Sequence, residues 1–360
     1  MIPISHPPVL IRSIQYQPGM SREGGDLPSP LWDPEVNRAI QETLPELAID
    51  AFGLVTHLGD GTTLVGLAVV LYWFGAEEDR QRRAMVLAVA VATLALVAGL
   101  KGVLEVQRPL YVADPVLPFA PETYPGWSTP SAHAMGAAAV YAALAVVVDA
   151  GTRRARYAVA GVVIVAVSAS RVVLGLHYVG DVLVGALLGL LLVAIALRIT
   201  RASITPMFGL SLAIALAALA LGSEEFTEMA IGASAGGLVV WHSLEGRESN
   251  PLGASMLLVG LVVLPALVLV RLLDTLIAVE GTITVTLGGA LPVGVVTILQ
   301  TVGYAAVFGA ALAVPFVATA LNDREVVRLL QRRLPLKGRT VDPDAVGERA
   351  DDDRPNGERS

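Results

Sequence analysis

The chain has no cysteine, and of its 25 basic residues only Lys101 and Lys337 are lysines; charged side chains make up 16% of its 360 residues and aromatics 5%. Without cysteine there can be no disulfide, no thiolate metal ligand and no cysteine nucleophile. The formal net charge of -7, with acidic residues concentrated near the end, offers no basic surface, so no nucleic-acid partner is expected. Residues 1–34 lack the charged start, apolar core and small-residue cleavage site of a secretory signal. No internal repeat stands out. What remains is apolar: 54% of the residues are hydrophobic, and the mean hydropathy is +0.65.

The apolar segments approach the ~20 residues that cross a bilayer as a helix. The expected fold is therefore all-α, a polytopic transmembrane helical bundle of about nine spans with a five-span core. Residues 1–34 read as a flexible extension, within which Met1 and Met20 are both candidate starts. Residues 35–204 hold an amphipathic interfacial helix, reaching to about Asp50 and interrupted by Pro45, followed by spans near 53–75, 84–104, 134–148, 157–173 and 179–197. Residues 205–321 carry further spans near 205–221, 227–242 and 252–271, and one more within 283–321, preceded there by an interfacial or re-entrant piece because Gly288, Gly289 and Pro292 break the run. Residues 322–360 form a basic, then acidic, disordered tail. The short-loop arginines Arg80, Arg82, Arg83, Arg153, Arg154, Arg156, Arg198 and Arg201 fall on one side of this topology, which makes that side cytoplasmic. The 105–130 connection and the 174–178 turn then face outward, and the C-terminus faces in.

Three polar clusters interrupt the apolar background, each at the expected external end of a span. The first runs from Lys101 to Arg108-Pro109. Seven residues are nearly two helical turns, so a continuous helix projects both cations from one face about 10 Å apart. A guanidinium fork suits phosphate oxygens, while an ammonium supplies a compact charge. Lys101 pairing with Glu105 and a snorkelling Arg108 is the bland alternative. The second cluster, Ser128-Thr-Pro-Ser131-Ala132-His133, enters a span. A helix start offers free N–H groups to an anion, Ser131 adds a hydroxyl and His133 can donate a proton. A plain helix cap with an interfacial histidine is the alternative there. The third is Ser170-Arg171 with His177 and Asp181. The four-residue spacing brings His177 and Asp181 to one helical face, where a carboxylate fixes the imidazole tautomer and frees the other nitrogen to attack. Gly175 lets the chain turn so that Arg171 shares the anion; a purely structural histidine–aspartate pair is the alternative. Ionisable groups inside a membrane are costly, so three clusters converging on one face point to function.

The clusters resemble the three signature motifs of the type 2 phosphatidic acid phosphatase superfamily, which includes lipid phosphatases and vanadium haloperoxidases. Over residues 55–200 the match is lysine, six residues, arginine-proline; proline-serine-glycine-histidine; and serine-arginine, five residues, histidine, three residues, aspartate. Ala132 stands where the family has glycine. The resemblance implies an integral membrane hydrolase that releases the terminal phosphate of a lipid phosphate or diphosphate and requires no metal or other cofactor. It assigns catalysis to His177 as nucleophile forming a phosphohistidine, Asp181 as its orienting group and His133 as proton donor. It assigns phosphate binding to Lys101, Arg108, Ser131, Ala132 and Arg171. Phosphatidate, diacylglycerol diphosphate and polyprenyl diphosphate present the same terminal phosphate and are equally expected substrates in the bilayer. A vanadate-dependent haloperoxidase and a non-enzymatic lipid-phosphate-binding transporter or scaffold are the rival readings. A neutral His177 beside a protonated His133 predicts a bell-shaped pH profile. His57, Asp60, Glu105, Tyr111, Tyr124, Trp127 and Tyr178 are secondary candidates for the headgroup entrance, and Gly232, Gly236 and Gly237 read as helix-packing residues.

Overall fold

A computed structural model describes residues 30–333, apart from 76–78, 114–116, 122–123, 223–225, 264, 266–268, 270–283 and 287–291. The expected N-terminal extension up to residue 29, the tail from 334 and much of the 264–291 connection lie outside the described residues. The architecture is a bundle of membrane helices. Helix α1 (Pro34–Thr43) is capped by Asp33 and stops before Pro45; α2 (Glu46–Val55) and α3 (Gly61–Phe74) follow, joined by a 3-10 turn, Thr56–Gly59. Next come α4 (Arg80–Leu104), the short α5 (Pro109–Val112), α6 (Ala132–Val147), α7 (Arg153–Val173) and α8 (Val179–Ile199). Beyond them lie α9 (Thr205–Leu221), α10 (Thr227–Leu244) and α11 (Gly253–Val263). Two short strands pair antiparallel, Thr284–Thr286 with Pro292–Gly294, before α12 (Val295–Ala320) and α13 (Glu325–Arg333).

Each expected apolar segment contains a helix; within 283–321 the described residues are the two short strands and the long helix α12, and Gly288 and Gly289 lie outside them. By length and composition α4, α7, α8 and α12 can each cross a membrane, and α2 with α3 makes a fifth crossing bent by 48°. Helices α6, α9 and α11 are shorter. At 1.5 Å per residue, α6 spans only ~24 Å of a ~30 Å hydrocarbon layer, and the loop that supplies its first residues completes the distance.

Helix α4 is the axis. It packs against α3, α6, α8, α9 and α10, and its alanine-rich surface (Ala84, Ala88, Ala92, Ala95 and Ala98 all buried) admits neighbours on every side. One side of α4 meets α6, which in turn packs on α7 and α8; the other meets α9 and α10, with α12 beyond. The small residues of α10 do pack helices. A Cβ on Gly236 would lie 2.1 Å from the Ala305 carbonyl of α12, and one on Gly237 2.6 Å from the Phe208 ring of α9. Tyr72 and Trp73 of α3 donate to the carbonyls of Leu312 and Ala311, so α12 also closes onto the first span. Exposed Val159, Val162 and Val165 on α7 and Leu187, Leu190 and Leu191 on α8 form the lipid-facing surface.

The arginine-bearing connections gather at one end. Arg82 lies 3.8 Å from Asp149 and donates to the Val146 carbonyl, Gln81 donates to Thr200, and Arg80 donates to Ser249 beside the end of α12. The three polar clusters occupy the opposite end of the bundle.

The amphipathic segment 33–50 is interrupted at Pro45, where its sequence places the break. Pro45 splits it into two helices, and the second leads into the bent first span. In α1 the residues turned inward are polar: Asn37 and Gln41 are fully buried, because they serve carbonyls at the end of α7.

Candidate active site

Helix α7 ends at Val173, and the chain reverses through Gly175 at φ 67°, a left-handed conformation that suits glycine. A side chain there would also collide with Leu117. The backbone N–H groups of Leu176 and His177 return to the Arg171 carbonyl at 3.1 and 3.2 Å. From α1, Asn37 donates to the carbonyls of Val172 (2.8 Å) and His177 (3.0 Å), and Gln41 donates to Val173 (2.8 Å). Every carbonyl that the end of α7 leaves unpaired inside the protein needs such a donor, and the result is a fixed loop carrying His177.

The pairing expected of His177 and Asp181 is present. Asp181 sits in the first turn of α8 and His177 just before that helix, with Nδ1 to Oδ2 at 3.3 Å. The Arg108 Nη1 donates to His177 Nε2 at 3.0 Å. A guanidinium cannot accept, so Nε2 carries the lone pair and Nδ1 the proton directed at Asp181. This is the tautomer a nucleophile requires. Burial, and then the nearby charges of Arg108, Arg171 and Lys101, hold the His177 imidazole well below its usual pKa and keep it neutral. Asp181 is wholly enclosed and is compensated from all sides: Trp32 Nε1–H (3.1 Å) and the Thr129 hydroxyl donate to Oδ1, while the Ser128 hydroxyl and Tyr178 N–H (2.9 Å) donate to Oδ2.

The cations converge on the same place. Arg108 donates to the carbonyls of Leu176, Gly126 and Pro125, and its guanidinium lies 4.6 Å from the centre of the Tyr124 ring. It does not snorkel: it is 2% exposed, and burial brings its pKa down to about 10, which still leaves it charged at neutral pH. Arg171 stacks on the same ring at 5.3 Å and donates to the Tyr124 hydroxyl (3.0 Å) and to Thr56 (2.7 Å). Two like charges are thus gathered around one aromatic ring, an arrangement that suits a multiply charged anion. Lys101, also buried, stands in the last turn of α4 and acts on His177 electrostatically.

Lys101 and Arg108 do not share a helix, contrary to the expected two-turn spacing. Helix α4 ends at Leu104, Glu105 adopts φ 48°, and the Val106 carbonyl accepts from Ser128 N–H at 2.7 Å. The left-handed cap turns the chain, and Arg108 reaches the site as the residue before α5.

Ser131 caps α6: its hydroxyl accepts from Ala134 N–H, and its own N–H donates to the Asp181 carbonyl at 3.1 Å. Ala132 opens the helix, and among the described non-glycine residues only Glu105 and Phe226 have positive φ. An alanine therefore fits where the related pattern has glycine. His133 Nε2 lies 2.9 Å from Asp60 Oδ1, at the break between the 3-10 turn and α3. Among the described residues no cluster of His, Cys, Asp or Glu has the form of a metal site.

Residues 83–205, from α4 to the start of α9, match the model of the PAP2 superfamily. The match covers about a third of the chain. The matched segment contains every motif residue named from the sequence and excludes α1 to α3. No curated protein matches the chain. Two similar solved structures are the first transmembrane PAP2 type phosphatidylglycerolphosphate phosphatase from Bacillus subtilis, at 29% identity over 47% of this chain and 86% of that one with a TM-score of 0.39, and LpxE from Aquifex aeolicus, at 26% identity over 46% and 93% with a TM-score of 0.38.

The motif residues Lys101, Arg108, Ser131, His133, Arg171, His177 and Asp181 all stand at this end of the bundle. Trp32, Asn37, Gln41 and Thr56 join the site from outside the three clusters, Ser128 and Thr129 lie within the second cluster and donate to Asp181, and Asp60 and Tyr124, expected only at the headgroup entrance, contact His133 and the two arginines. Tyr124 had a discernible signal, as an aromatic between two basic motifs.

Proposed function

We propose that the protein is a membrane-embedded phosphatase that removes the terminal phosphate of a lipid phosphate or diphosphate through a phosphohistidine on His177. The observation that carries this reading is the His177 ring, with Nδ1 on Asp181 and an unprotonated Nε2 facing the Arg108 guanidinium. A phosphoryl group bound there by Arg108, Arg171 and Lys101, with Ser131 and the α6 start at Ala132, has Nε2 in line for attack. The P–N bond forms as the P–O bond to the lipid breaks, and His133 gives its proton to the leaving oxygen. Water then attacks phosphorus, His133 takes a proton from that water, and the P–N pair returns to His177. The chemistry assigned to these residues uses no metal. The lipid keeps its tail in the bilayer.

The site faces outward on this reading, since the arginine connections and the end of α12 share the opposite, cytoplasmic end. A chain without cysteine allows a direct check with a membrane-impermeant thiol reagent on whole cells. Tyr111→Cys should label and Arg154→Cys should not.

Phosphate release by the purified protein from phosphatidate, diacylglycerol diphosphate and polyprenyl diphosphate, compared with His177→Ala, tests the function. Full release by the variant would overturn the mechanism; lipid binding without release would make the protein a binder; and halide oxidation with added vanadate would move it to the haloperoxidases.

A further inference from the structure

The proton donor has a partner that no motif supplies. His133 Nε2 donates to Asp60 Oδ1 at 2.9 Å, and His57 Nδ1 lies 2.8 Å from the other oxygen of the same carboxylate. The three side chains form a graded series from water to the interior, 68% exposed at His57, 34% at Asp60 and 16% at His133. Asp60 is not on a loop free to drift. The turn Thr56–Gly59 is tied to α7 by Arg171 donating to Thr56 at 2.7 Å and to α6 by the Tyr141 hydroxyl donating to the Leu58 carbonyl at 2.9 Å. Gly59 lies so close to α6 and α7 that a Cβ there would come within 2.6 Å of Val167 and 3.2 Å of the His133 ring. The 48° bend between α2 and α3 thus delivers one carboxylate to one histidine.

We propose that Asp60 is the positioning residue for His133 in phosphoryl transfer, an inference that rests on the phosphatase reading above. By accepting from Nε2 it fixes the ring orientation and assigns the transferred proton to Nδ1, and its negative charge favours the imidazolium that must exist before the leaving oxygen departs. His57, on the second oxygen, holds the carboxylate in the plane that His133 requires. The proton ledger closes within the cycle. Nδ1 loses a proton to the lipid oxygen in the first half-reaction and recovers one from the attacking water in the second, while the Nε2–H bond to Asp60 persists throughout.

A leaving group that departs unaided separates positioning from general damage. The full-length protein and Asp60→Asn should be compared on a lipid phosphate, whose alkoxide leaving group needs a proton, and on p-nitrophenyl phosphate, whose phenolate does not. The lipid rate should fall at least about tenfold more than the p-nitrophenyl phosphate rate, and Asp60→Glu should recover part of that difference. Equal losses on both substrates would overturn the inference, as would no loss on either. Wild-type protein that releases phosphate from neither substrate would instead sink the phosphatase reading. A second readout needs no turnover: with only five histidines in the chain, 15N spectra of the imidazoles can be assigned one by one. The His133 ring signals should move in Asp60→Asn while those of His177 stay. Unmoved His133 signals would refute the pairing.

Discussion

His177 is tied to Asp181 through Nδ1, with both side chains closed to solvent at 2% and 0% exposed, whereas His133 is tied to Asp60 through Nε2 in a half-open setting. The two pairs use the same chemical groups for opposite ends. In the proposed mechanism a neutral imidazole with a free Nε2 attacks, and one that must be cationic donates. Deep burial among Arg108, Arg171 and Lys101 favours the first state, and at the mostly enclosed His133 the Asp60 carboxylate is the group that works toward the second. Burying Asp181 as an anion is costly unless donors surround it, and Trp32, Ser128, Thr129 and the Tyr178 N–H do so. Asp60 has fewer protein donors because water reaches it.

The comparison breaks most severely at the nucleophile. His177→Ala should lower lipid phosphate hydrolysis by at least about 10⁴-fold and abolish labelling of the protein by radioactive phosphate from substrate; trapped phosphoprotein in that variant would place the covalent bond elsewhere. His133→Ala should cost on the order of 10³-fold on lipid substrates, with phosphohistidine formation from p-nitrophenyl phosphate retained, which rapid-quench measurements can follow. Trp32→Phe keeps the packing over Gly180 but loses one bond to Asp181; a hydrogen bond to a charged group is worth about 1.5–3 kcal/mol, so kcat should fall roughly tenfold or more. An unchanged kcat would make Trp32 mere packing.

The pH dependence is a subtler discriminator. Because the folded protein lowers the His177 pKa from its ordinary 6.5, the ring stays neutral as pH falls through that value, and the acid limb of kcat/KM from the nucleophile should lie below it. The unfolded chain binds the proton more readily, so stability present above pH 6.5 is lost on acidification, measurable as a falling Tm. His57→Ala should have the smallest effect, up to about fivefold on lipid turnover, because exposed ionic contacts contribute about 0.2–1 kcal/mol.

The motif residues were legible because an ionisable group in an apolar run is conspicuous, and three such groups at one face rarely coincide. The helices were legible for the related reason that a span must be long and apolar. What escaped was the set of partners that hold those residues. Trp32 reaches Asp181 across 149 positions, Asn37 reaches Val172 across 135, and Thr56 meets Arg171 across 115. Ordinary polar residues in an amphipathic stretch carry no spacing signal for contacts at such range. The Lys101–Arg108 spacing misled because its helical reading ignored the possibility of a left-handed residue at Glu105, whose identity gives no hint of φ 48°.

The contact between Trp32 and Asp181 also bears on where this protein can be cut. The superfamily match begins at residue 83, yet the donors to Asp181, the carboxylate on His133 and the hydroxyl on Arg171 come in part from Trp32, Asp60 and Thr56. An excised segment of residues 83–205 would retain every signature residue and lose the parts that orient them. The contacts that orient the signature residues thus begin at Trp32, well before the recognisable segment at residue 83, and the first span lies in the gap between them.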